Sequence, residues 1–260
     1  MQDRERVFRM TLPSRKQIWL FGLLLLVAAL GLLGVRWATY ARQPLPEAVK
    51  ALESDDLVEI TQEPWLAFAP IHATPHTGFI FYPGGRIDRR GYAPLMRAIA
   101  SEGHLVVVPQ MPLNIAAFRP NIADEIIADY PEISRWVIGG HSVGGTMAAQ
   151  YVHTHRDAID GLAIWASYPA DNADLSDFDL PVVSIYGSHD PRVNGVSVAE
   201  RQHLLPTDAR YVGIDGGDHH QFGSYEIDPR DHHATISRDL QHEQIIQAIL
   251  DLLRAVLDTE

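Results

Sequence analysis

An apolar run, Trp136–Ile138, leads into Gly139-Gly140-His141-Ser142-Val143-Gly144-Gly145, and Thr146–His153 continues with helical character. Few folds accept this arrangement. The chain must leave a strand, turn sharply and enter a helix within a few residues. Glycines stand two places on either side of Ser142, which lets strand and helix approach closely. A serine at such an apex adopts strained dihedrals. It also stands at a helix N-terminus, whose positive partial charge favours a developing oxyanion. The run Gly140-His141-Ser142-Val143-Gly144 therefore marks Ser142 as a candidate nucleophile. The plainer alternative is a glycine-rich turn with a serine cap.

The rest of the chain alternates short apolar runs with helical patterns. Leu57–Thr61, Trp65–Ala69, Gly78–Tyr82, Leu105–Val108, Leu162–Trp165, Val182–Tyr186 and Tyr211–Ile214 read as strands. Tyr92–Glu102, Pro120–Tyr130, Val196–Leu204 and Leu240–Leu257 read as helices, with Pro120 at the first helical position. Such alternation predicts a mostly parallel central sheet with helices on both faces, the first two strands forming an antiparallel edge. A chain of 260 residues, 46% of them hydrophobic, supports one sizeable core. No stretch after the first strand suffices for a large helical lid domain, so an open, shallow site for small substrates is expected.

A serine nucleophile needs a base, and the base needs an orienting carboxylate. After Ser142 the strand Val182–Tyr186 runs into Gly187-Ser188-His189-Asp190, and the strand Tyr211–Ile214 runs into Asp215-Gly216-Gly217-Asp218-His219-His220. Asp190 and His219 thus follow successive strands, in the order serine, acid, histidine. Asp190 precedes Pro191 and could instead initiate a turn. His220 is a rival base, and Asp177 and Asp179 are rival acids on the wrong side of their strand. Gly78–Tyr82 ends in Pro83-Gly84-Gly85-Arg86, where a backbone N–H could face the site. The expected oxyanion hole combines the N–H groups of Gly85 and Val143, with Arg86 as the other possible donor. Arg86 could also meet a substrate carboxylate or pair with Asp88. The loops Gln110–Arg119 and Ser224–Ser237 are expected to line or roof the pocket.

Charge and composition exclude other classes. Lys and Arg total 21 against 33 Asp and Glu, a net charge of -12, and no basic stripe follows the first 16 residues. Nucleic acid is therefore not an expected partner. There is no cysteine, hence no disulfide, thiol nucleophile or thiolate metal site. His219, His220, His232 and His233 with Asp218 and Asp231 match no common metal-ligand spacing. No phosphate-binding glycine loop of the nucleotide hydrolases occurs. No cofactor or metal is expected.

Ile18 to Val35 carry only apolar side chains and glycine, with Trp19 and Trp37 near the ends. As a helix this run reaches roughly 27 Å, close to a bilayer's hydrocarbon thickness. Arg4, Arg6, Arg9, Arg15 and Lys16 precede it, and Arg36, Arg42 and Lys50 follow more thinly. The positive-inside bias predicts a cytoplasmic basic tail over 1–16, a single-pass signal anchor over 17–36, a linker over 37–56 and an extracytoplasmic domain over 57–260. A cleaved signal peptide or a buried helix would be the alternatives.

Four blocks, Phe81-Tyr82-Pro83-Gly84-Gly85, Met111-Pro112-Leu113-Asn114-Ile115-Ala116, Gly140–Gly145 and Gly216-Gly217-Asp218-His219-His220-Gln221-Phe222-Gly223, occur in that order. Over about Ile60 to Leu257 the chain resembles a family of small bacterial α/β-hydrolases, grouped with dienelactone-hydrolase-like and carboxylesterase-like proteins. The resemblance implies the α/β-hydrolase fold, with the family's nucleophile on Ser142, its acid on Asp190 and its base on His219. The Gly-Gly-x-His-x-x-Phe-Gly run favours His219 over His220. Dienelactone hydrolases proper use a cysteine nucleophile, which this chain lacks. Hydrolysis of a small carboxylic ester or related acyl compound is the implied activity. A non-catalytic binding protein of the same fold, or an amidase or peptidase, are the alternatives.

Overall fold

The computed structural model describes residues 15–258. The chain divides into two compact units, up to Tyr40 and from Ala41 onward. The first contains helix α1, Arg15–Ala38. Its stretch Trp19–Trp37 is long and apolar enough to cross a membrane. Most of the basic tail, residues 1–14, lies outside the described residues.

The second unit is built on one eight-stranded sheet. Its strands are β1 (Val58–Thr61), β2 (Leu66–Pro70), β3 (Thr77–Tyr82), β4 (Leu105–Val108), β5 (Arg135–His141), β6 (Gly161–Trp165), β7 (Val182–Gly187) and β8 (Arg210–Ile214). They lie in the order β1-β2-β4-β3-β5-β6-β7-β8. β1 pairs antiparallel with β2, and β2 antiparallel with β4. All remaining pairs are parallel. The continuous apolar runs have their physical reason here: β3, β4 and β6 are buried along their whole length, covered on both faces.

Helices cover the two faces. On one, Phe79, Phe81, Val106 and Val137 pack with α3 (Ala93–Ser101) and α7 (Arg238–Asp258), through Leu95, Ile99, Ile249 and Leu253. On the other, Ile80, Tyr82, Ile138 and Ile164 pack with α4 (Ala123–Asp129) and α5 (Val143–Thr154), through Ile126, Ala148 and Val152. Alternation along β3 thus sends successive side chains to opposite cores. α6 (Gly195–Arg201) lies between β7 and β8. Among the described residues no helix stands between β6 and β7, and there is no helical lid.

Two sequence expectations change. α4 begins at Ala123 rather than Pro120. The buried Tyr82 hydroxyl donates to the Pro120 carbonyl at 2.7 Å and accepts the Ala123 N–H at 3.1 Å, so it caps the helix three residues later. The segment 37–56, read as a linker, is in large part a strap on the domain. Arg42 N–H donates to the Arg86 carbonyl and Leu45 N–H to the Ser224 carbonyl, while Asp88 and Glu226 N–H groups donate back to Arg42 and Gln43. The short helix α2, Pro46–Lys50, then buries Ala48 completely.

Candidate active site

β5 delivers the chain to Ser142, and α5 begins one residue later. Ser142 has φ 54° and ψ -125°, a left-handed backbone that a serine occupies only when its surroundings force it. Those surroundings are the glycines. A Cβ on Gly140 would overlap the Gly144 backbone, and one on Gly144 would overlap the Tyr82 carbonyl. The Ser142 N–H is tied to the Trp165 carbonyl at 2.9 Å, which locks the turn to β6. Ser142 itself is half-buried and lines a cavity of about 200 Å³.

Asp190 and His219 reach the same edge of the sheet from the ends of β7 and β8. The Asp190 carboxylate is buried, and its Oδ2 meets His219 Nδ1 at 2.7 Å. The backbone N–H groups of Arg192 and Val193 donate to Oδ1 at 2.7 and 3.0 Å. The turn role foreseen for Asp190 and its contact with histidine therefore coexist, one oxygen for each. Ser142 and His219 both line the cavity, and the Nε2 side of His219 is left for another partner. Asp177, one rival acid, is instead paired with Arg156 at the surface. His220, the rival base, faces Arg192, whose Nη1 stands 3.0 Å from its Nε2. Burial first, then the charges of Arg42, His219 and Arg192, push its pKa down to about 4.

The turn after β3 is held by Tyr92. Its hydroxyl accepts the Gly84 N–H at 3.0 Å and stands 2.9 Å from His141 Nδ1. His141 is fully buried, and burial holds it well below the usual imidazole range. The ring is therefore neutral, and the tautomer with its proton on Nε2 lets Nδ1 accept from the Tyr92 hydroxyl. Arg86 (φ 58°) gives its N–H to the Asn114 carbonyl at 2.7 Å, which removes it as an oxyanion donor. The N–H groups of Gly85 and Val143 have no hydrogen-bond partner among the described residues. A Cβ on Gly85 would stand 3.1 Å from the Val143 side chain, so the two residues are neighbours. Asp88, the other partner considered for Arg86, is held by Arg90.

A family model of the alpha/beta hydrolases matches residues 78–243. The chain belongs to the alpha/beta hydrolase family. Solved structures of other α/β-hydrolases share the fold at low identity. An alpha/beta hydrolase enzyme, MGS-MChE2, from a metagenome of sediments of the Mar Chica lagoon, Morocco, is 14% identical with a TM-score of 0.56, covering 77% of this chain and 99% of that one. The monoacylglycerol lipase of Paleococcus ferrophilus is 15% identical with a TM-score of 0.56, covering 76% and 99%. Est1E from Butyrivibrio proteoclasticus, with ferulic acid bound, is 14% identical with a TM-score of 0.53, covering 78% and 98%. No curated protein matches the chain by sequence.

Several site features of this α/β-hydrolase escaped sequence reasoning. The loops 110–119 and 224–237 contribute no residue to the cavity lining. They brace it instead, through Asn114 on Arg86 and Asp231 on Arg42. Asp218, read as part of a histidine-rich stretch, is a buried hub. Its carboxylate accepts the N–H groups of His220, Gln221, His233 and Ala234. Burial opposes its charge, but these four donors outweigh it and hold the carboxyl below the usual aspartate range. No group of three or more metal-ligating side chains occurs among the described residues. The lining residues Arg42 and Arg192 were also missed. Arg192 was findable as a cation two places after the proposed acid, whereas nothing in the sequence joins Arg42 to the site. Larger depressions lie at the opposite, amino edge of the sheet, around Asp179–Pro181. They carry the ion pairs Arg210–Asp251 and Arg135–Asp160 and no serine.

Proposed function

We propose that this chain is a serine hydrolase that cleaves a small carboxylic ester or related acyl compound through an acyl-enzyme on Ser142. The observation that carries the reading is the buried Asp190–His219 contact of 2.7 Å, with His219 lining the same cavity as Ser142. Ser142 Oγ attacks the acyl carbon while His219 Nε2 takes the hydroxyl proton. Asp190 orients the imidazole and stabilises it once charged. The unpartnered N–H groups of Gly85 and Val143 receive the oxyanion. Collapse breaks the bond to the alcohol, which leaves with the proton from His219. Water then attacks the acyl carbon by the same route, and Ser142 is regenerated. A structural relative named a monoacylglycerol lipase supports the ester as the bond cleaved.

The apolar helix α1, with Arg15 and Lys16 at its start, supports a single-pass anchor with the N-terminus in the cytoplasm and the hydrolase domain outside. The test of the enzymatic reading is covalent labelling of the full chain, in detergent, with a fluorophosphonate probe. Wild type should label, and Ser142→Ala and His219→Ala should not. Ester turnover by Ser142→Ala should fall on the order of 10⁴-fold or more. A folded wild type that neither labels nor hydrolyses esters would sink the reading.

A further inference from the structure

The cavity beside Ser142 holds more positive charge than acyl transfer requires. Arg42 and Arg192 both line it, one from the strap before β1 and the other from the turn after Asp190. The base, its orienting acid and the oxyanion donors are all other groups, so neither guanidinium has a part in the serine chemistry. Nor does composition explain them, since the chain as a whole carries a net charge of -12.

Their local partners compensate this charge only in part. The Arg192 guanidinium has no carboxylate partner among the described residues, and its Nη1 donates to His220 Nε2 at 3.0 Å. His220 can accept this bond because it is neutral at pH 7, with its pKa near 4. Arg42 Nη2 reaches Asp231 at 3.4 Å, longer than a close charge-assisted hydrogen bond, and the Asp231 side chain is 38% exposed. Arg42 Nη1 is shielded from solvent and has no hydrogen-bond partner among the described residues. A buried guanidinium N–H left without an acceptor is costly, and no group among the described residues supplies one. The carboxylate of Asp190 does not, being committed to His219 and two backbone N–H groups.

Resting on the serine-hydrolase reading, we propose that the substrate is a short acyl ester bearing a carboxylate, which Arg42 and Arg192 bind while Ser142 attacks the ester carbonyl. Guanidinium groups match carboxylate geometry, and a cavity of about 200 Å³ suits a small acyl group.

The test uses the full chain in non-ionic detergent and pairs of p-nitrophenyl esters of equal acyl length. The monoesters of succinate, glutarate and adipate are compared with the butyrate, pentanoate and hexanoate esters, with spontaneous hydrolysis subtracted. For at least one length, kcat/KM should favour the carboxylate-bearing ester by about tenfold or more. That preference should drop about tenfold in Arg192→Gln and in Arg42→Gln, mainly through KM, as expected for roughly one charge-assisted contact each. Because Arg42→Gln could loosen the strap, the exposed Arg192 decides the matter independently. Fluorophosphonate labelling with turnover of neutral esters but no preference at any length would overturn the proposal and leave the hydrolase reading standing. A preference unmoved by both substitutions would overturn it too. Absence of labelling and of all turnover in folded protein would overturn both.

Discussion

Tyr92 illustrates how much one buried side chain does for the proposed chemistry. Its hydroxyl joins the turn that carries Gly85 to His141, the residue immediately before the proposed nucleophile. In Tyr92→Phe both bonds are lost, and a buried N–H and a buried imidazole nitrogen are left without partners. The expected cost is about 1–3 kcal/mol of stability. With the Gly85 N–H no longer fixed, kcat for esters should fall roughly tenfold, as the geometry of oxyanion stabilisation demands. Urea unfolding and steady-state kinetics on the same preparation check this. An unchanged kcat would show that the turn holds its shape without Tyr92. Asp190→Asn probes the partner on the other side: it retains an acceptor for the Arg192 and Val193 N–H groups but orients the imidazole wrongly. Turnover should fall by about 10⁴-fold with little loss of stability.

At the scale of elements, the β5–turn–α5 unit is held by contacts that allow no extra atom. Gly144→Ala places a methyl against the Tyr82 carbonyl, so α5 must shift away from β3. Overpacking of this kind costs about 1–3 kcal/mol. Because the shift moves Ser142 relative to His219, fluorophosphonate labelling should slow by more than the stability loss explains. Stopped labelling time courses at a temperature where the variant is fully folded would show it, and equal rates would refute it. This unit was also the part most legible in the sequence, since the glycines and the strand-to-helix switch are local. The strands were legible for a similar reason, their runs being long and apolar where both faces are covered. What the sequence concealed is held by contacts between distant segments. The strap at 41–50 has no periodicity of its own and is fixed by the backbone of Arg86, Asp88, Ser224 and Glu226. The start of α4 moved because a tyrosine hydroxyl from β3, far away in sequence, supplies its cap. Arg42 reached the cavity only because that strap folds back, so no spacing rule could have placed it there.

Across the whole molecule, the buried imidazoles couple stability to pH. His141, His220 and His242 are each less than a tenth exposed, and burial is the first cause of the depressed pKa in every case. For His220 and His242 the values fall to about 4. In the unfolded chain the same groups titrate near the ordinary value of about 6.5. The unfolded state therefore binds more protons than the native state between these limits. Stability contributed by the neutral imidazoles is fully present above about pH 6.5 and is lost as the pH falls through the folded values. Each should contribute a slope of about 1 kcal/mol per pH unit within that window. Asp218 adds a second, lower window. Its folded pKa lies below the unfolded value of about 3.9, so its contribution disappears only in stronger acid. The unfolding free energy of the full chain in detergent, from urea titrations between pH 7.5 and 5, should fall steadily over the first window. His242→Gln, which stays neutral throughout, should flatten the decline by about one proton's worth. A stability that is level from pH 7 to 5, or a decline of equal slope in His242→Gln, would mean that the imidazoles reach water or gain partners as they charge. In that event the neutral His220 that accepts from Arg192 would also need to be reconsidered.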